Sequence, residues 1–349
     1  MKKKGFTLIE LLAVIVILAI IALIAVPVII NIITSARKKA FENTAYGLIS
    51  AGEMYYAGEL LNGGMTSNIE FTIEEGKLTS AEGLDIKGEL PKTGKIKVTR
   101  EGKVALAISN GSLCITKGYD DSKIETLEEF DGCNLPPEPG TLAYLARTNS
   151  FATAVATCAT DGTACAVGTN FAIEVAPGNI KNFYVVSEEN NTVTLIMDSN
   201  IDGYTPWIRK NDYITAGGTE AEWNIVMNDG GNNNKGPITA LNYLETQTSG
   251  WTNIPTKTYS LTDSRYGTIT RTNVRSRMLS ETEAREISSN NWAYDNLSSD
   301  TGIYGYWTSS ADATISNNSW YVMFSGYVSS EISNPENYCG VRPVIEILK

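Results

Sequence analysis

Histidine is absent from all 349 residues. That removes the Ser-His and Cys-His nucleophile pairs, the commonest general base near neutral pH and the commonest zinc ligand. Carboxylates and lysines can still do chemistry, so the enzyme classes are narrowed without being closed. Cysteine is scarce too: Cys114, Cys133, Cys158, Cys165 and Cys339, with no CxxC pair, which speaks against a structural zinc site. Positive charge is outnumbered, 28 Lys and Arg against 39 Asp and Glu, for a formal net charge of −11. Such a chain has no electrostatic footprint for nucleic acid. Two oxygen-rich stretches, residues 198–203 and 228–231, lack the full calcium-loop spacing and its terminal glutamate. No metal or other cofactor is expected.

What the chain does have is an apolar run over residues 6–30, preceded by Met1-Lys2-Lys3-Lys4-Gly5 and broken by one charge, Glu10. An ionised carboxylate within a hydrocarbon span costs about 2.5–3.5 kcal/mol on insertion scales, so Glu10 reads as functional by default. From Phe6 to Ile33 the chain offers 28 residues, roughly 42 Å of helix at 1.5 Å per residue, enough to cross a bilayer. The three lysines would hold its leading end in the cytoplasm. A cleaved secretory signal fits poorly, because its apolar region is shorter and ends at a small-residue site, whereas Thr34-Ser35-Ala36 is a poor one. A plain signal anchor fits the length and leaves Glu10 unexplained. Arg37-Lys38-Lys39 reads as a headgroup-facing or solvated anchor at the helix exit.

The stretch Gly5-Phe6-Thr7-Leu8-Ile9-Glu10 resembles the processing site of type IV prepilins and type II secretion pseudopilins. The resemblance covers about the first 35 residues. It implies that a dedicated membrane peptidase cleaves after Gly5 and methylates the new amine of Phe6, and that Glu10 pairs with a neighbouring subunit's Phe6 amine. It also places Pro27 where many members kink the helix. Two buried groups of opposite sign on different subunits satisfy each other in only one axial stagger, which makes such a pair a register device more than a source of net stability. Loss of the leader's three lysines would take the formal charge from −11 to −14. The partners implied are prepilin peptidase, other pilin subunits, the pilus or secretion assembly machinery, and the membrane. The location implied is the cell membrane before assembly and a filament or the cell surface after it.

The whole reads as an α+β chain: a long amino-terminal helix packed on a small antiparallel sheet, followed by a mixed α+β domain. The expected divisions are a leader (1–5), a membrane and filament-core helix (6–33), an amphipathic helix with a pilin-like β head (34–134), a proline-rich linker (135–141) and a carboxy-terminal domain (142–349). Apolar residues at three- and four-residue spacings carry the helix to about Leu61, where Asn62-Gly63-Gly64 ends it. Residues 69–73, 95–99 and 104–108 read as strands, with Arg100-Glu101-Gly102-Lys103 as a hairpin turn. In the last domain, strands are expected at 171–175, 183–186, 192–197, 305–310, 319–324 and 341–347. Gly326 and the Ser/Asn-rich residues 329–337 would supply turns. One helix should start at Gly236-Pro237, and another at the capping box Ser280-Glu281-Thr282-Glu283.

Five cysteines allow 15 ways of forming two bonds and leaving one free. Oxidising conditions beyond a membrane favour disulfides, and local spacing favours Cys114 with Cys133 and Cys158 with Cys165. The loop between Cys114 and Cys133 also resembles the disulfide-closed segment near the end of pilin heads.

Arg277 with the Ser280 box, then Gly-Tyr-Trp-Thr-Ser-Ser from Gly305, then Gly340-Val341-Arg342-Pro343-Val344, resemble a bacterial extracellular lectin-like fold. Its relatives include C-type-lectin-like and formylglycine-generating-enzyme-like domains. The resemblance implies a ligand surface on the polar loops between the last strands, with candidate contacts at Trp307, Asn317, Asn318, Trp320, Tyr321, Tyr327, Asn334, Asn337 and Tyr338. Aromatics beside amides suit adaptable recognition of a glycan or protein. Taken singly, Trp307 and Trp320 are more often core residues, and Arg342 reads as a buried, hydrogen-bonded fold residue. An enzyme on the formylglycine-generating pattern would need a thiol pair, and only Cys339 lies late in the chain. The function expected is therefore a non-enzymatic pilin-like subunit displaying a ligand-binding adhesion domain. A pseudopilin of a secretion or DNA-uptake machine is the alternative, and a membrane-anchored enzyme the more distant one.

Overall fold

The computed structural model describes residues 7–79, 83–128, 130, 132–201, 203–224, 231–297, 305–333 and 339–349. The chain divides into two compact units, Met1–Glu138 and Pro139–Lys349.

The first unit begins with α1, Leu8–Leu61, one helix of 54 residues. Its two halves bury different things. Over residues 8–33 the large apolar side chains lie exposed, Leu8 at 86% and Leu23 at 79%. In the second half, Phe41, Ala45, Leu48, Ile49, Ala51 and Gly52 form a buried stripe. That stripe packs on a six-stranded antiparallel sheet of order β2-β1-β3-β4-β5-β6. Its strands are β1 (Ile69–Glu74), β2 (Lys77–Leu78), β3 (Thr93–Val98), β4 (Val104–Ser109), β5 (Cys114–Lys117) and β6 (Glu125–Leu127). Alternation delivers Phe71, Ile73, Ile96, Val98, Val104, Leu106 and Ile108 to the helix. Gly52 permits the close approach: a Cβ there would stand 3.0 Å from one Val104 methyl and 3.3 Å from a Val98 methyl. The turn between β3 and β4 has Gly102 at φ +85°, a conformation that glycine adopts without the Cβ clash.

Among the described residues the second unit holds three sheets. A five-stranded antiparallel sheet has order β17-β10-β9-β8-β7, built from β7 (Ala146–Arg147), β8 (Asn170–Ala176), β9 (Asn179–Glu189), β10 (Thr192–Met197) and β17 (Val344–Leu348). A hairpin pairs β11 (Lys257–Asp263) with β12 (Gly267–Val274). A four-stranded sheet has order β15-β14-β13-β16, from β13 (Gly305–Ala311), β14 (Asn318–Met323), β15 (Val328–Ile332) and β16 (Cys339–Gly340). The helices are α2 (Leu142–Leu145), α3 (Lys210–Thr215), α4 (Glu220–Trp223), α5 (Ile238–Thr248) and α6 (Glu281–Ile287). Separate apolar clusters sit under the five-stranded sheet, around Trp207 and Trp307, and around Tyr306 and Ile287.

Two local expectations change. Residues 341–347 are not one strand: β16 stops at Gly340 and β17 starts at Val344. Pro343 has no N–H for a ladder, and the side chain between the two strands, Arg342, is fully buried. Residues 329–337 are not all turn, because cross-strand pairing with β14 draws Ser329, Ser330, Glu331 and Ile332 into β15. Polar residues form an edge strand there because the pairing partner supplies the apolar contact.

Candidate assembly and ligand-binding sites

Gly5 and Phe6 lie outside the described residues. Immediately after them Thr7 is the N-cap of α1, in extended backbone conformation, and Glu10 occupies the third helical position. The Thr7 N–H donates to Glu10 Oε2 at 2.9 Å and the Thr7 hydroxyl to the same oxygen at 2.7 Å. The Glu10 N–H donates back to Thr7 Oγ1 at 3.4 Å. This is a reciprocal capping box. Both side-chain bonds fall on one carboxylate oxygen, which leaves acceptor capacity on the other for a cation. Glu10 therefore has a local role, closing its own helix. Pro27 lies within α1, in its exposed apolar half.

In the second unit the nine sequence-derived contact candidates separate by burial. Trp307 is 1% exposed, its indole N–H donating to Thr205 O at 2.8 Å. Tyr321 is buried against it in an edge-on contact, ring centroids 5.8 Å apart. Asn317 is also buried, its main-chain oxygen accepting from the N–H and hydroxyl of Ser333. These three belong to the core, because their strand and loop positions point them away from solvent. Asn318 is half-buried at the start of β14, and Trp320 lies beneath the Arg285 guanidinium, 4.8 Å from its carbon to the ring centroid. Tyr327 is 73% exposed at the turn after Gly326. Asn334, Asn337 and Tyr338 lie outside the described residues.

The loop joining β13 to β14 is held by residues that the sequence reading did not single out. Asn233, fully buried, donates from Nδ2 to the carbonyls of Asp312 (2.8 Å), Ile315 (3.0 Å) and Asn318 (2.7 Å), and its Oδ1 accepts from Arg265 Nε. Asp312 caps the loop through the N–H groups of Thr314 and Ile315 and the Thr314 hydroxyl. Burial alone would raise its pKa, but these bonds and one from Ser330 outweigh that and hold it at about 2. A carboxyl depressed in the folded state contributes stability above its unfolded pKa, which is lost as pH falls toward 2. Urea titrations at pH 5 and pH 2.5 are expected to show a smaller acid-induced loss for Asp312→Asn than for the parent, the difference being on the order of 2 kcal/mol. Equal losses would remove this role.

A further polar site brings together distant segments. A cavity of about 330 Å³ is lined by Tyr259 and Leu261 of β11, Arg277, Ser280, Glu283 of α6 and Glu346 of β17, among others. Arg277 donates to both oxygens of Glu283 (3.0 and 2.7 Å) and from Nε to Glu346 (2.7 Å). Burial pulls the guanidinium pKa down, but the two carboxylates outweigh it and raise it. Glu283 also closes the capping box of α6 with Ser280. Tyr259 is 7% exposed and its hydroxyl has no hydrogen-bond partner among the described residues; burial first, then Glu346, raises its pKa. The sequence carried the Arg277 and Ser280 half of this site. Tyr259 and Glu346 were missed because nothing local marks them as neighbours; the only available signal was the alternation of β11.

Disulfides join Cys114 to Cys133 and Cys158 to Cys165. Cys339 is a buried free thiol, its pKa pushed well up by burial and by Glu331, the opposite of a reactive thiolate.

Residues 1–26 match the family model described as the prokaryotic N-terminal methylation motif. No curated protein and no solved structure matches the chain. The motif, with the long apolar helix that follows it, supports a type IV pilin-like or pseudopilin-like protein. It implies processing by prepilin peptidase, membrane anchoring and assembly with other pilins.

Proposed function

We propose that this chain is a pilin-like subunit cut after Gly5, assembled through the first half of α1, and built to present residues 139–349 to a surface ligand. One observation carries the reading. A single uninterrupted helix changes character along its length, from apolar and exposed over residues 8–33 to a stripe buried on its own sheet from Phe41 onward. A row of exposed aliphatic side chains that long demands an apolar environment, first lipid and then the same segment of neighbouring subunits. The second unit is larger than the pilin portion, which suits display at a tip or at low copy number. Its ligand is a glycan or protein, met through the half-exposed ring of Trp320, through Asn318 and Tyr327, or through the polar cavity at Tyr259 and Arg277. The lectin-like adhesion role rests on these features.

Gly5→Leu tests the processing step: the variant is expected to accumulate as uncut precursor, seen as a single heavier band by immunoblot. A band of mature size would defeat the processing claim. Antibody against residues 139–349, applied to intact cells expressing the parent chain, separates the two kinds of assembly. Label along or at the ends of surface filaments supports display, and label confined to the envelope favours a pseudopilus.

A further inference from the structure

The first unit contains a group of side chains that neither assembly nor ligand display requires. Glu138, the last residue of the unit, accepts a hydrogen bond on each of its carboxylate oxygens. Asn68 Nδ2 donates to Oε1 at 2.6 Å, and Lys97 Nζ donates to Oε2 at 2.5 Å. Asn68 immediately precedes β1, and Lys97 lies on the neighbouring strand β3, opposite Glu70. The other end of the Asn68 carboxamide is fixed as well: its Oδ1 accepts the backbone N–H of Arg100 at 3.0 Å. The Lys97 and Glu138 side chains are 25% and 29% exposed, and buried Tyr119 lies close enough for Glu138 to act on it. One amine, one carboxamide and one carboxylate thus converge, with a backbone donor on the carboxamide oxygen.

We infer that Lys97 and Asn68 are positioned to form an intramolecular amide cross-link, with Glu138 as the proton carrier. Lys97 first gives a proton to Glu138, which frees the lone pair of Nζ. Nζ then attacks Asn68 Cγ, and charge develops on Oδ1 where the Arg100 N–H is already aimed, as an oxyanion donor must be. Glu138 relays protons from Nζ to Nδ2, the Cγ–Nδ2 bond breaks, and nitrogen leaves as ammonia carrying the proton that Lys97 gave up. One N–C bond forms and one breaks, with no change in oxidation state and no co-reactant. General acid and base work by one residue at hydrogen-bond distance from both nitrogens is the geometry such a transfer needs. The product ties the point where the chain enters the sheet after α1 to its central strands, which resists tension applied along the subunit.

The test is an intact-mass measurement on the full chain purified in detergent, followed by proteolysis and tandem mass spectrometry. The expected mass, after allowing for processing and two disulfides, is short by one ammonia, and the peptides containing Asn68 and Lys97 are recovered joined. Lys97→Arg, Asn68→Ala and Glu138→Ala should each restore the missing mass completely. Recovery of both peptides separate and unmodified from the parent chain would leave an ion-paired clamp and overturn the proposal. A cross-link that persists in Glu138→Ala would overturn the role given to that carboxylate, and an unrestored mass in Lys97→Arg would overturn the assigned bond.

Discussion

Glu10→Val is expected to give a subunit that is still cut after Gly5 and still folds both units, yet is nearly absent from filaments. The reason is an asymmetry in buried charge pairs. Removing one partner leaves the other uncompensated in an apolar setting, a loss of about 3–5 kcal/mol, or more than a hundredfold in an assembly equilibrium. In this chain valine also removes the helix cap, since the Glu10 carboxylate accepts the Thr7 N–H and hydroxyl. Glu10→Gln separates the two effects. Glutamine at the third helical position can still close a capping box with threonine, but it carries no charge for a Phe6 amine. Sheared-filament and membrane fractions, immunoblotted side by side, read the outcome. If pairing sets the register, both variants stay in the membrane fraction. If Glu10→Gln enters filaments normally while Glu10→Val does not, capping is the whole role and the pairing argument falls.

The part of this molecule legible in the sequence is the part written in local patterns. The helix boundary near Leu61, the strands expected at 69–73, 95–99 and 104–108, the hairpin between the last two, and the capping box at Ser280 all depend on residues within a few positions of one another. The contact candidates fared differently, because a strand alternates inward and outward positions whereas composition alone does not say which is which. Trp307, a contact candidate that taken singly reads as core, and Tyr321, another candidate, meet each other in the core. The Asn233 clamp on the 312–318 loop and the Tyr259 to Glu346 side of the cavity join segments tens of residues apart. Without a second copy of the pattern to compare, long-range contacts of that kind leave no mark in one sequence.

Arg342 lies between β16 and β17, and its replacement should be the most damaging single change in the second unit. It is 1% exposed. Its Nε donates to Met197 O at 2.5 Å, Nη1 donates to Ala293 O, and Nη2 to Trp292 O at 3.2 Å, while the guanidinium stacks over Tyr306 at 5.3 Å. Burial pulls its pKa down, opposed by Tyr306 and Asp198. One side chain thus ties the end of β10 to the short turn at 291–293, from the point where β16 ends and β17 begins. In Arg342→Ala, the buried carbonyls of Met197 and Ala293 lose their donors at about 1–3 kcal/mol each, the half-buried carbonyl of Trp292 loses its own, and a cavity opens beside Tyr306. A loss above 4 kcal/mol is expected, in the class of effects that single substitutions reach only at such sites. Arg342→Lys should recover less than half of it, since one ammonium cannot span three carbonyls arranged for a planar fork. Because the chain forms two compact units, thermal unfolding of the full chain should show the loss in one transition while that of residues 1–138 stays in place. A ligand clamp predicts the reverse, an unchanged melting profile with binding abolished, so the melting curve alone decides whether the arginine in Gly340-Val341-Arg342-Pro343-Val344 serves the fold or the ligand.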